Sequence, residues 1–162
     1  MITYPINPGE RLQRRMISVL ESDLLIYDAF TGFVIRNGRE FSQEKYPFFS
    51  VQVTESQQRP ERSNIWNVNI TITMVEDRAE ANVPLTGMGT RPRHEIRAEN
   101  VSARLFGVWN GLSFPAAINA IVDGQGINVV KMHSGSQSNA TMSEDEIATE
   151  YSFVMLCVTT EQ

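Results

Sequence analysis

One cysteine, Cys157, occurs in 162 residues, so no disulfide can form within the chain and redox chemistry drops out. Set inside an apolar run, that thiol reads as a small buried hydrophobe rather than a nucleophile. Long hydrophobic runs are missing too: no stretch approaches the ~20 apolar residues that span a bilayer. The opening Met1-Ile2-Thr3-Tyr4-Pro5 lacks the basic-then-apolar pattern of a secretion signal. The expectation is a soluble chain made in a cytoplasm, with no membrane partner. The Asn-X-Ser/Thr triplets at Asn69, Asn100 and Asn139 then carry no weight as glycan sites. Positive charge is in short supply, with 14 Lys and Arg against 19 Asp and Glu and a formal net charge of −5. That balance excludes bulk DNA wrapping while leaving local basic clusters open.

The sequence signatures of catalysis are also absent. Gly124-Gln-Gly126 has no third glycine opening a helix, and Gly87-Met-Gly89-Thr90 is not followed by Gly-Lys-Ser/Thr, so both read as turns rather than nucleotide loops. His94 and His133 stand without the ligand spacing of a metal site, and the default for each is an exposed or capping histidine. Glu144, Asp145 and Glu146 form an acidic run without the alternating oxygen ligands of a calcium loop. No nucleophile has a visible base. The chain is expected not to be an enzyme, and to hold neither cofactor nor metal.

What the sequence does contain is a long alternation. From Trp66 to Met74 the apolar Trp66, Val68, Ile70, Ile72 and Met74 interleave with Asn67, Asn69, Thr71 and Thr73, which predicts a strand over 65–75 with one polar face. Phe49, Val51 and Val53 alternate in the same way, so 47–54 should pair with it as an antiparallel hairpin. The polar stretch 55–64 between them is expected to project as an arm. Asn7, Pro8 and Glu10 signal a helix start, and Leu12, Met16, Val19 and Leu20 give it one apolar face from about 8 to 23. Arg11, Arg14 and Arg15 lie mostly off that face.

A strand or short hairpin is expected around Phe33-Val34-Ile35, before the turn signal Asn37-Gly38. Residues 76–93 read as irregular. A second helix begins near His94, with Val101, Leu105, Val108, Trp109 and Leu112 on one face and Asn110-Gly111 as its end. Residues 115–122 suggest a short helix, 127–132 a strand, and 134–145 a mobile loop. The strand over 147–158 is apolar on both faces toward its end and should be covered on both sides. The fold class is α+β: one domain over 1–162, a mostly antiparallel sheet with two main helices on one face, and loops near 55–64, 84–93 and 134–145.

Two features point toward partners. Arg59, Arg62, Arg91 and Arg93 sit in the two proline-containing loops, and arginine's planar fork is favoured at interfaces. The polar face Asn67, Asn69, Thr71 and Thr73 is the second. Taken with the acidic net charge and the two long loops, they favour a subunit that assembles with copies of itself.

The order of elements resembles that of a known family. The helix opening Pro8-Gly9-Glu10, the run Tyr-Pro-Phe-Phe-Ser-Val-Gln-Val from Tyr46, and the strand ending Met-Val-Glu-Asp at Asp77 lead to a helix and a late Glu-Tyr-Ser-Phe-Val-Met-Leu-Cys-Val from Glu150. This resembles the tail terminator proteins of tailed bacteriophages, also called tail completion or head–tail joining proteins. The likeness spans nearly the whole chain and rests on element order and length. It implies a structural virion protein of the tail and neck, present in host cytoplasm during assembly. The implied assembly is a hexameric ring that caps the tail tube, ends its polymerisation and docks to the head connector. DNA would pass through the lumen without specific binding. The loop at 134–145 and the stretch 76–93 depart from the family pattern. Two alternatives stay open: another neck, connector or tail-tube component, and a small-molecule-binding α+β domain using Asn67 to Thr73 as a pocket floor.

Overall fold

The structure, a computed structural model, describes residues 8–22, 34–37, 48–58, 64–84, 89–109, 112–122, 126–137 and 141–159. In chain order the elements are helix α1 (Pro8–Ser22), strands β1 (Val34–Asn37), β2 (Phe48–Gln58) and β3 (Ile65–Asp77), and helices α2 (Arg78–Ala81) and α3 (Arg93–Phe106). There follow β4 (Val108–Trp109), β5 (Leu112–Ser113), helix α4 (Phe114–Asn119), β6 (Ile127–Gln137), β7 (Thr141–Met142) and β8 (Glu146–Thr159). The main sheet runs β1-β2-β3-β8-β6, with β7 also on β8. Every pairing in it is antiparallel except β1 with β2. The expected α+β class with a mostly antiparallel sheet is therefore the observed one.

The long alternating strand became the middle of the sheet because both of its neighbours alternate with it. Ile70 lies opposite Val53 and Phe153, and Ile72 opposite Val51 and Tyr151, so apolar side chains from three strands share one face. Helix α1 covers that face with Leu12, Met16 and Leu20, each fully buried. Burial of such side chains is worth about 1.5–3 kcal/mol apiece. Ala98, Val101 and Leu105 of α3 and Phe114 and Ile118 of α4 complete the same cluster. Helices and core thus occupy one side of the sheet.

Several boundaries differ from expectation for physical reasons. Strand β2 continues to Gln58 through an irregularity between Val53 and Glu55, so the anticipated arm 55–64 is in part ladder; its residues 59–63 lie outside the described residues. Within 76–93 the short helix α2 forms because Asp77 caps it, its carboxylate accepting from the Glu80 N–H. The second helix stops at Phe106, and Val108, Trp109 and Leu112 leave it for a two-stranded ladder. Gly107 is the break: a Cβ there would meet the Ala103 carbonyl oxygen at 2.4 Å. The short helix predicted at 115–122 occupies 114–119 instead, starting one residue earlier because Ser113 caps it through the Ala116 N–H.

Of the mobile loop expected at 134–145, residues up to Gln137 are strand and 141–142 form β7, since β8 is long enough to offer both a partner; 143–145 form a turn, and 138–140 lie outside the described residues. Strand β8 itself is packed on the helix side, while Val154, Leu156 and Val158 on its other face are only half-buried, so two-sided covering is not seen among the described residues. The region around Phe33 contains β1, parallel to β2, while Asn7 and the Gly38 turn lie outside the described residues. Arg15, read as lying off the apolar face, is buried and donates to the Ile127 carbonyl at 2.6 Å. Its long stem lets the guanidinium reach a strand end beneath the helix.

Strand β6 forms the outer edge on one side of this order, and a side chain seals part of it. Asn119 Nδ2 donates to the Val129 carbonyl and Asn119 Oδ1 accepts from the Val129 N–H, both at 2.8 Å. One amide thereby satisfies both backbone groups that a further strand would use. Asn119→Ala is expected to lose about 1–3 kcal/mol, the net worth of two such bonds, and to make the protein more prone to aggregate. Urea denaturation and light scattering on warming would register the two effects separately.

Candidate assembly surface

The sheet face turned away from the helices is built by the residues that alternate with the core. On β3 these are Asn67, Asn69, Thr71 and Thr73, all half-buried because a strand flanks them on each side. Across the ladder to β8, Asn67 faces Leu156, Asn69 faces Val154, Thr71 faces Ser152 and Thr73 faces Glu150. Strand β6 adds Lys131 opposite Leu156 and His133 opposite Val154. The face therefore grades along the strands, from aliphatic with a lysine at the Leu156 row to hydroxyls at Ser152 and a carboxylate at Glu150. No helix is packed on it among the described residues.

The sequence anticipated the polar half of this surface and missed the aliphatic half. The available signal was the two-sided apolar pattern of 154–158, which fits a strand whose second face meets something apolar as well as it fits an interior strand. The four expected Asn and Thr residues are brought together. Of the four arginines, only Arg91 and Arg93 fall among the described residues.

Arg91 and Arg93 lie at the start of α3 and are held within the chain. Arg91 forms ion pairs with Glu95 and Glu99 one and two turns along. Its guanidinium holds the Glu99 carboxyl below the usual range, chiefly through the hydrogen bond between them. Arg93 Nη1 lies 3.3 Å from Glu80 Oε1, tying α3 to α2. Arg59 and Arg62 lie outside the described residues.

Beneath this region is a buried charge pair that no local pattern reveals. Arg97 Nη1 donates to Glu76 Oε1 at 2.9 Å, and the two side chains are 9% and 1% exposed. Arg97 Nη2 reaches Glu80 Oε1 at 3.1 Å, so one guanidinium joins β3, α2 and α3. Burial raises the Glu76 carboxyl above its ordinary value, while the hydrogen bond and charge of Arg97 pull it back. Glu76 Oε2 and Thr149 Oγ1 are buried without a hydrogen-bond partner. His94 is buried in the first turn of α3 and not exposed, whereas His133 is exposed on β6.

Burial pushes the Cys157 thiol up to about 12, which keeps it protonated at neutral pH. Tyr151 is raised by burial and donates to the Ala98 carbonyl at 3.0 Å, fixing α3 on β8. Among the described residues no group of three or more His, Cys, Asp or Glu is placed to hold a metal ion. No helix among them is long and apolar enough to cross a membrane. The sequence matches no family model and no curated protein.

Proposed function

We propose that this chain is a structural subunit of a bacteriophage virion, a tail terminator that forms a hexameric ring, caps the tail tube and joins it to the head connector. The observation that carries the reading is the one-sided sheet: helices and core lie on one face, and the other presents a long surface of Asn, Thr, Ser and half-buried aliphatics. A ring subunit needs a rigid scaffold of this kind, with surface left over for its neighbours. The resemblance in element order from Pro8 to Val158 is what favours a tail terminator over other ring subunits. A net charge of −5 suits a lumen that lets DNA slide, since a basic lining would grip phosphate.

Mixing the protein with assembled tubes of its cognate tail-tube protein tests the reading by negative-stain imaging. The expected result is density at tube ends alone and arrested elongation. Long polymers formed by this chain alone would instead make it a tube protein. Binding to the connector without binding to tubes would make it another neck component.

A further inference from the structure

Resting on the ring reading above, we propose that each subunit meets a second copy of itself head to tail: the end of the sheet carrying Val122, Val130 and Lys131 docks against the acidic turn Glu144-Asp145 of the next copy. Three large aliphatic side chains are exposed among the described residues, Val122 at 98%, Val130 at 55% and Val83 at 49%. Singly placed surface valines are ordinary. Two of these, Val122 and Val130, share one end of the sheet.

Val130 sits in the register irregularity between Val129 and Lys131, and Val122 follows three residues after Asn119, whose side chain is bonded to Val129. Both therefore fall toward the end of the sheet where β6 begins and β8 finishes, the end that also carries the half-buried Leu156 and Val158. Lys131 is exposed at the same end, opposite Leu156.

The other end carries the complement. The turn before β8 exposes Glu144 and Asp145. It is fixed to α2, because the Arg78 N–H donates to the Asp145 carbonyl at 3.0 Å and Arg78 Nη1 to the Ser143 carbonyl at 2.8 Å. Val83 lies just beyond α2, its N–H on the Glu80 carbonyl. Valine and carboxylates at one end thus answer valines and a lysine at the other.

Strand β8 separates the two ends by 14 residues, on the order of 45 Å at ~3.3 Å per residue. One molecule cannot join them to each other. Two different patches on one subunit make a heterologous contact, which closes into a ring when the rotation per step allows. Asn119 already occupies the backbone groups of Val129, so the contact there is made by side chains and not by strand addition.

Charge reversal tests this joint on the full chain. Glu144→Lys with Asp145→Lys, and separately Lys131→Glu, are each expected to raise the protein concentration needed for assembly about tenfold or more, with unchanged circular dichroism. Carrying all three changes on one chain should restore rings. Mixing the two reversed proteins should restore rings in which they alternate, since every joint then pairs opposite charges. Val130→Asp should also weaken assembly. Rings of unchanged mass and affinity in every reversed protein would overturn this joint while leaving the ring reading intact. A wild-type chain that never assembles, alone or with tubes, would overturn both.

Discussion

Arg97→Met should destabilise the protein by about 3–5 kcal/mol at neutral pH, because it strands the Glu76 carboxylate in the interior. Glu76 is 1% exposed, and one of its oxygens already has no hydrogen-bond partner. Losing the 2.9 Å bond to Arg97 would leave the charge with no direct counter-ion contact. The same substitution frees Glu80 on α2, so the short helix should loosen as well. Replacing both members, Glu76→Met with Arg97→Met, should cost far less, since no buried charge then remains.

The pH dependence follows from the direction of the Glu76 shift. Its folded carboxyl lies above the ordinary value of 4.5. The stability it contributes is therefore fully present below that value and is lost as pH rises through the higher folded value. In Arg97→Met the upward push goes unopposed by the guanidinium. The deficit of the variant should accordingly shrink in acid, and unfolding by urea at pH 7 and near pH 4.5 would reveal the difference. An equal deficit at both would mean that the Glu76 charge is not the cause.

Gly135→Ala should cost about 3 kcal/mol, the upper end for overpacking by one methyl group. A Cβ at this position would lie 2.3 Å from Phe106 Cε1 and 2.8 Å from the Ser152 carbonyl oxygen. The ring could swing away, but it packs edge-on to Phe153 at 6.1 Å between centroids. The Ser152 oxygen belongs to β8 backbone and has less room to move. A loss of that size lowers Tm by about 6–12 °C in a domain of this length. In the Phe106→Leu background the added methyl should cost less, so the double variant should fall short of the summed losses by about 1 kcal/mol. Strict additivity would show that Phe106 is not what Gly135 accommodates.

Where neighbours in sequence decide the structure, the sequence was a good guide. The alternation from Trp66 to Met74 marked a strand and its inward face, and Leu12, Met16, Val19 and Leu20 marked the buried stripe of α1. It was a poor guide where distant segments decide. The run from Val101 to Leu112 keeps helical spacing, yet the helix ends at Phe106, because Gly107 lets the backbone turn into a ladder. Ser134 to Gln137 look like loop by composition and are strand because β8 lies beside them. The Glu76–Arg97 pair joins positions 21 apart that the packing of α3 against the sheet brings together. On the candidate surface, the polar row was legible from its period of two. The aliphatic row was not, since half-buried and interior valines alternate alike.

The central claim is that this chain works as a closed ring at the end of a tail tube. Molar mass by light scattering, with the same samples imaged in negative stain, tests it most directly. The expected result is a discrete species of six subunits that stays closed at high concentration and sits at the ends of added tubes. A monomer at every concentration, with and without tubes, would contradict it.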